Sequence, residues 1–220
     1  MSEPWKENLF FLNKHHHGLA AQLKDQLQKT PLILKRLSNG CIRVTANWPE
    51  NGAERHWDIT EDQTPSEYPV QLYNAYQPEK QWLLVVGIDA LSPSALAEKS
   101  LSEFSPILVV EPDLLTLIAY FQVRTYKDLL QRPQVYFFVG EHAFGNLESQ
   151  FKEHLLPYLI TAKAVSVVPG ARLASQQAHI KPAIQRFMAL FQQAVQKVQQ
   201  VIHQSVSYYK NQDGQDFHKV

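Results

Sequence analysis

The chain has 220 residues, enough for one sizeable domain with an appended arm, and its 45% hydrophobic content supports an ordinary core. Twenty-one basic residues balance 21 acidic ones, so no net field draws the protein to nucleic acid or anionic lipid. A single cysteine, Cys41, excludes an intrachain disulfide and any zinc site built on several thiolates.

Leu9, Leu12, His16, Leu19, Ala20, Leu23 and Leu27 recur every three or four residues, which predicts one helix of roughly five to six turns ending before Pro31. Leu32-Ile33-Leu34 and the alternating run Cys41 to Trp48 flank Ser38-Asn39-Gly40, the signature of a β-hairpin. In the second run Ile42, Val44, Ala46 and Trp48 share a side. Residues 49 to 67 are polar, and His56-Trp57-Asp58-Ile59 is the one short strand expected there. Residues 1–67 are thus expected to form a small α+β cap.

From residue 68 strands alternate with helices, the pattern of a parallel sheet. Trp82 to Gly87 and Pro106 to Glu111 are the first two strands. Between them a helix is expected from Ser92-Pro93 to about Phe104, with Leu91 and Leu96 spaced as a hydrophobic staple. Pro112 and Asp113 open a helix through Phe121. Val135 to Gly140 is the third strand, Leu147 to Ile160 a helix with Leu147, Phe151, Leu155 and Tyr158 inward, and Ala164 to Val168 the fourth strand. Residues 68–180 therefore read as a Rossmann-like α/β domain. Residues 181–220 carry a long helix from about Lys181 to Tyr209, on which Ile184, Phe187, Phe191, Ala194, Val198, Val201 and Ser205 form a near-heptad stripe. A homo-oligomer through Ile184, Phe187, Phe191 and Val198, or docking of a protein partner, is expected there, with the part beyond Ala194 projecting. The N-terminus lacks the apolar region of a secretory signal and no run reaches the ~18 apolar residues of a membrane span, so a cytoplasmic protein is expected.

The chemistry-bearing residues cluster at the strand ends. A first strand closing on Gly87 and a second closing on Glu111 outline a nucleotide-binding βαβ unit, in which the glycine permits a tight turn and the acid accepts ribose hydroxyls. Gly87, Asp89, Glu111 and Asp113 are the candidate cofactor-binding set. Two readings stand side by side for Glu111 and Asp113: a ligand crevice, or capping of the following helix. The loop Ile88-Asp89-Ala90-Leu91 lacks the further glycines that bring a backbone close to a phosphate, so no cofactor is expected. Adjacent imidazoles on a helix point about 100° apart, so His15-His16-His17 cannot converge on one ion and no metal is expected. No Gly-x-Ser-x-Gly elbow surrounds a serine, and no catalytic residue is assigned.

The leucine helix, the segment Tyr73-Asn74-Ala75-Tyr76-Gln77-Pro78-Glu79, the strand closing on Val86-Gly87, Val109-Val110-Glu111-Pro112-Asp113 and Val135 to Gly140 together resemble one bacterial family. They look like the N-terminal domain of the Maf (motility-associated factor) glycosyltransferases, which are implicated in transferring nonulosonic acids to flagellin. Such members carry a glycine-rich turn after the first strand, where this chain has Ile88-Asp89-Ala90-Leu91. The family's central catalytic domain, with its Gly-Pro-Ser-Leu turn, has no counterpart. The resemblance implies an accessory domain that positions a catalytic domain or a flagellin-like acceptor and is not an enzyme on its own. The alternative is a class I S-adenosylmethionine-dependent methyltransferase or nucleotide-binding enzyme with a degenerate glycine loop.

Overall fold

The computed structural model describes residues 2–48, 52–60, 67–92, 96, 105–160, 162–174 and 177–213. The chain is an α/β protein. The N-terminal leucine stripe forms two helices, α1 (Glu3–His15) and α2 (His17–Lys29), where the periodicity predicts one. The break falls at His16, whose backbone leaves helical geometry while its ring packs edge-on against Phe137, centroids 5.6 Å apart. Gly18, a poor helix former, lies two residues further on, in the first turn of α2. Both helices keep the same apolar face inward, with Leu12, Ala20 and Leu23 fully buried, so the stripe runs on across the kink.

Strands β1 (Leu32–Arg36), β2 (Cys41–Trp48) and β3 (Ala53–Thr60) form an antiparallel sheet in that order. The predicted hairpin joins β1 to β2. Gly40 adopts φ 79° in its turn, a left-handed conformation that favours glycine, and the Asn39 side chain accepts from the Cys41 amide. Ile42, Val44 and Ala46 face the core as the alternation requires. β3 extends beyond the expected His56–Ile59. Its outer residues Glu54, Arg55, His56 and Asp58 are exposed, which hides the strand from a search for apolar runs.

Helix α3 (Glu67–Ala75) leads into β4 (Gln81–Val86), which with β5 (Ile107–Glu111), β6 (Val135–Val139) and β7 (Ala164–Pro169) makes a four-stranded, all-parallel sheet. The order β6-β5-β4-β7 is that of the first four strands of a Rossmann sheet, with β4 as its first strand. β4 and β5 are buried on both faces, which is why they read as unbroken apolar runs. Leu83 and Val85 face a core shared with α1, α2, the antiparallel sheet and α4 (Leu114–Val123). Trp82, Leu84 and Val86 face a second core, where Trp82 meets Phe151 and Phe191 edge to face at 5.8 and 5.1 Å. The expected crossover helix from Ser92 to Phe104 lies outside the described residues, apart from Leu91, Ser92 and Leu96, all buried.

A short helix α5 (Lys127–Leu130) precedes β6, and α6 (Ala143–Gln150) follows it. The helix expected to run on to Ile160 instead widens into a π turn over Phe151–Leu155 and tightens into a 3-10 turn over Leu156–Ile160. Pro157 accounts for the change, because its ring clashes with the carbonyl four residues back and supplies no N–H. A four-residue helix α7 (Ala171–Ala174) then leads to α8 (Gln177–Asp213), longer at both ends than its apolar stripe indicates. Phe187, Phe191 and Val195 of α8 are buried in the second core and Ile184 packs partly against it, so these residues serve the chain's own sheet. From Gln199 to Val206 every residue is exposed, whereas up to Val198 one face of the helix still packs on the second core, so the projecting part starts later than Ala194. No helix among the described residues is long and apolar enough to cross a membrane.

Candidate functional site at the carboxyl edge of the parallel sheet

In a sheet of this order ligands bind outside the strand carboxyl ends, where the strand order reverses. Here the reversal lies between β4 and β7. Gly87, Asp89, Glu111 and Asp113, the set expected from the sequence, all come to this edge.

Gly87 ends β4 with φ 98° and donates its amide to Val110 O at 2.8 Å. The chain then turns through a 3-10 segment, Ile88–Ala90, closed by bonds from Ala90 N to Gly87 O and from Leu91 N to Ile88 O. Ile88, Ala90 and Leu91 are all buried in the first core. Tyr73 of α3 pins this turn, donating its hydroxyl to Ala90 O at 2.8 Å and accepting from Ser92 N at 3.3 Å. Burial raises the Tyr73 pKa well above its ordinary value, so the hydroxyl stays a donor. A loop that cradles phosphate must turn its amides outward. This one turns apolar side chains inward and uses its amides within the protein, those of Ala90 and Leu91 on the turn itself and those of Gly87 and Ile88 on Val110 O and Glu111 of β5.

Glu111 ends β5 with its side chain wholly inaccessible to solvent. Ile88 N donates to its Oε2 at 2.9 Å and Asp113 N to its Oε1 at 2.9 Å. The Arg172 Nη2 nitrogen reaches both oxygens, at 2.6 and 2.8 Å. A carboxylate offers about four lone-pair positions, and four donor contacts fill them. Arg172 starts beyond β7 and crosses the end of β4 to reach β5, a span of about 9–10 Å at ordinary strand spacing. Its guanidinium therefore lies across the crevice, where a ribose would bind to Glu111. Burial raises the Glu111 pKa despite the opposing guanidinium and amide contacts. For Arg172 burial works against the charge, and Glu111, with Asp89 and Asp113 beyond it, outweighs that and holds the pKa up.

Asp89 turns toward β7. Its Oδ2 accepts from Arg172 N at 3.0 Å, and its carboxylate lies flat on Gly170. A Cβ on Gly170 would stand 2.7 Å from Asp89 Cγ, closer than real contacts allow, so any larger residue there would push the Asp89 carboxylate aside. Asp113 is the N-cap of α4, accepting from Leu115 N at 3.1 Å, Thr116 N at 3.3 Å and the Thr116 hydroxyl at 2.8 Å. It also pairs with Arg55 of β3 at 2.6 Å, tying the antiparallel sheet to the parallel one. Burial alone would raise its pKa, but the Thr116 hydroxyl and Arg55 outweigh that and lower it. The capping reading thus describes Asp113, while Glu111 ties together three segments of the crevice wall.

Comparison with protein-family models, curated proteins and solved structures returns no match. The site therefore stands on its own geometry. Beside it a cleft of about 680 Å³ is lined by Gln26, Arg55, Asp113, Gly140, Glu141 and Arg172 among others. Both arginines in it already hold carboxylates, so neither cation is left over to draw in an anion.

Sequence reasoning missed Arg172, the residue that decides the site. The available signal was an arginine two residues past the Pro169-Gly170 strand end, across the sheet edge from an acid that ends another strand. The three consecutive histidines do not converge: His16 is half-buried and its pKa is lowered by burial and by neighbouring His15, while His15 and His17 are exposed. Among the described residues no group of three His, Cys, Asp or Glu side chains is placed to hold a metal ion. Cys41, half-buried and free, lies at the start of β2.

Proposed function

We propose that this chain is a non-catalytic, Rossmann-like accessory module of the Maf-like kind, which positions a catalytic domain or an acceptor protein for transfer of a nonulosonic acid to flagellin. The observation that carries the non-catalytic reading is the saturated carboxylate of Glu111. With Ile88 N, Asp113 N and Arg172 donating to it, it has no lone pair left for a ribose hydroxyl. Supporting it, the Gly87 turn is packed with Ile88 and Leu91 and pinned by Tyr73. The family assignment rests on the strand-end pattern of the sequence, in which Gly87, Glu111 and Gly140 close successive neighbouring strands.

The test is an assay of the full chain with an activated nonulosonic acid and flagellin, run beside a titration of flagellin and of a Maf-type catalytic domain onto the immobilised chain. The expected outcome is binding of one of the two proteins with no sugar transferred. Turnover by the chain alone overturns the non-catalytic reading, and absence of binding to both overturns the Maf-like one.

A second reading, a nucleotide- or S-adenosylmethionine-binding enzyme, is favoured by the strand order alone, since Gly87 and Glu111 stand where such a fold places its cofactor contacts. It requires Arg172 to leave Glu111, and so to break a buried ion pair before any ligand gains a contact.

A further inference from the structure

We propose that the open edge of β6 takes up an extended, uncharged segment of a partner polypeptide as an added strand of the parallel sheet. The inference goes beyond the accessory role above and does not depend on it.

β6 is the outermost strand of its sheet and pairs with β5 on one side. In a parallel ladder, alternate residues turn their N–H and C=O groups to the same neighbour. Gln134 O accepts from Ile107 N at 2.9 Å and Gly140 N donates to Glu111 O at 3.0 Å, so the even-numbered residues of β6 are the ones that face β5. Phe137 and Val139 therefore point their backbone groups outward, and among the described residues no hydrogen bond reaches them. The flanking helices make this edge a groove of about 400 Å³ with Tyr136 to Val139 as its floor. α2 packs on the first core and α6 on the second, so they wall the groove from opposite faces of the sheet. His16, Leu19 and Gln22 stand on one side, and Asn146 and Gln150, one turn apart on α6, on the other.

The chemistry of floor and walls selects the occupant. The floor offers donors and acceptors at the repeat of a strand, which an extended backbone matches in register. Its four residues span about 13 Å at ~3.3 Å each, the length of roughly four residues of an added strand. The walls are neutral at pH 7, since burial and the neighbouring His15 lower the His16 pKa. A charged side chain entering the groove would lose hydration and meet no counter-charge. His16 Nε2 is buried and has no hydrogen-bond partner among the described residues, so the wall holds a polar atom that a peptide group satisfies. Successive side chains of the added strand fall on opposite faces. One set meets Leu19 and Phe137 and is apolar; the other meets the Asn146 and Gln150 amides and carries a hydroxyl or amide of its own.

The probe is a blocked hexapeptide of alternating valine and threonine, titrated into the full chain and followed by amide NMR and hydrogen exchange. Binding is expected with a dissociation constant on the order of 0.1 mM, as suits a few backbone hydrogen bonds and short side chains. The Phe137 and Val139 amides should shift and gain exchange protection. The same peptide N-methylated at alternate residues, on the edge facing β6, keeps every side chain and should bind at least ~10-fold more weakly. Val139→Pro deletes one outward N–H and no bond to β5, and should weaken the unmethylated peptide by about the same factor. If that variant does not melt cooperatively, the methylated peptide on the unaltered chain decides. No binding at 2 mM peptide, roughly 20 times the expected constant, overturns the proposal. So does equal binding of the methylated peptide, or protection that appears away from β6. Pairing of two copies through β6 without peptide would also overturn it, because the occupant would then be the chain itself.

Discussion

Replacing Arg172 by methionine removes the guanidinium and keeps most of the aliphatic stem, so it isolates the ion pair from its packing. Glu111 would be left fully buried with only Ile88 N and Asp113 N as donors. Removing one partner of a buried pair typically costs about 3–5 kcal/mol. The two surviving amide contacts, and the 22% exposure of the Arg172 side chain, place the expected loss at the lower end, about 3 kcal/mol near neutral pH. For a chain of this length that corresponds to roughly 6–12 °C in Tm.

The loss should depend on pH in a stated direction. Glu111 already has a folded pKa above its ordinary 4.5, so it binds its proton more tightly folded than unfolded. For such an acid, stability is highest where the group is protonated in both states and falls as pH rises through the window between the unfolded and folded values. Without Arg172 the folded value climbs further and the window extends upward. The deficit of R172M should therefore be small near pH 5 and grow toward about pH 7.5. Urea denaturation of both proteins at the two pH values reads it out. A deficit below about 0.5 kcal/mol that does not change with pH would refute the buried pair as the element closing the crevice.

Gly170→Ala should cost about 1–2 kcal/mol, because the new Cβ displaces the Asp89 carboxylate and breaks its bond from Arg172 N. Adding Asp89→Ala should recover part of that loss in a thermal-melt double-mutant cycle, and strict additivity would contradict the steric account. Asn8→Leu should destabilise by about 3 kcal/mol, since the buried Asn8 donates to Phe121 O and Arg124 O and accepts from Tyr126 N. Its unfolding midpoint in urea checks this, and a neutral result would show that those backbone groups find other partners.

The parallel strands were legible because each central strand is buried on both faces, so Trp82 to Val86 and Ile107 to Val110 appear as unbroken apolar runs. The hairpin at Asn39-Gly40 and the Asp113 cap were legible because both follow local chemistry. The break at His16 was not. Both helices bury the same stripe, and the break coincides with the packing of an imidazole against Phe137, a residue 121 positions further along the chain. The π and 3-10 turns after Gln150 carried a local signal in Pro157, overridden by the regular spacing of Leu147, Phe151, Leu155 and Tyr158. Of the candidate site, the four strand-end residues came from spacing, but their state did not. Whether Glu111 is open to a ligand depends on Arg172, 61 residues away, and that neighbour exists only once β7 is placed on the far side of β4.

The central claim is that the crevice is closed by the protein's own side chains, and isothermal titration calorimetry of the full chain with S-adenosylmethionine and with nicotinamide dinucleotides tests it most directly. The account predicts no binding by either class of cofactor, because Glu111 is saturated and the Gly87 turn is filled by Ile88 and Leu91. Micromolar binding that disappears in Glu111→Gln would contradict it, and would show that Arg172 yields its place to a ligand.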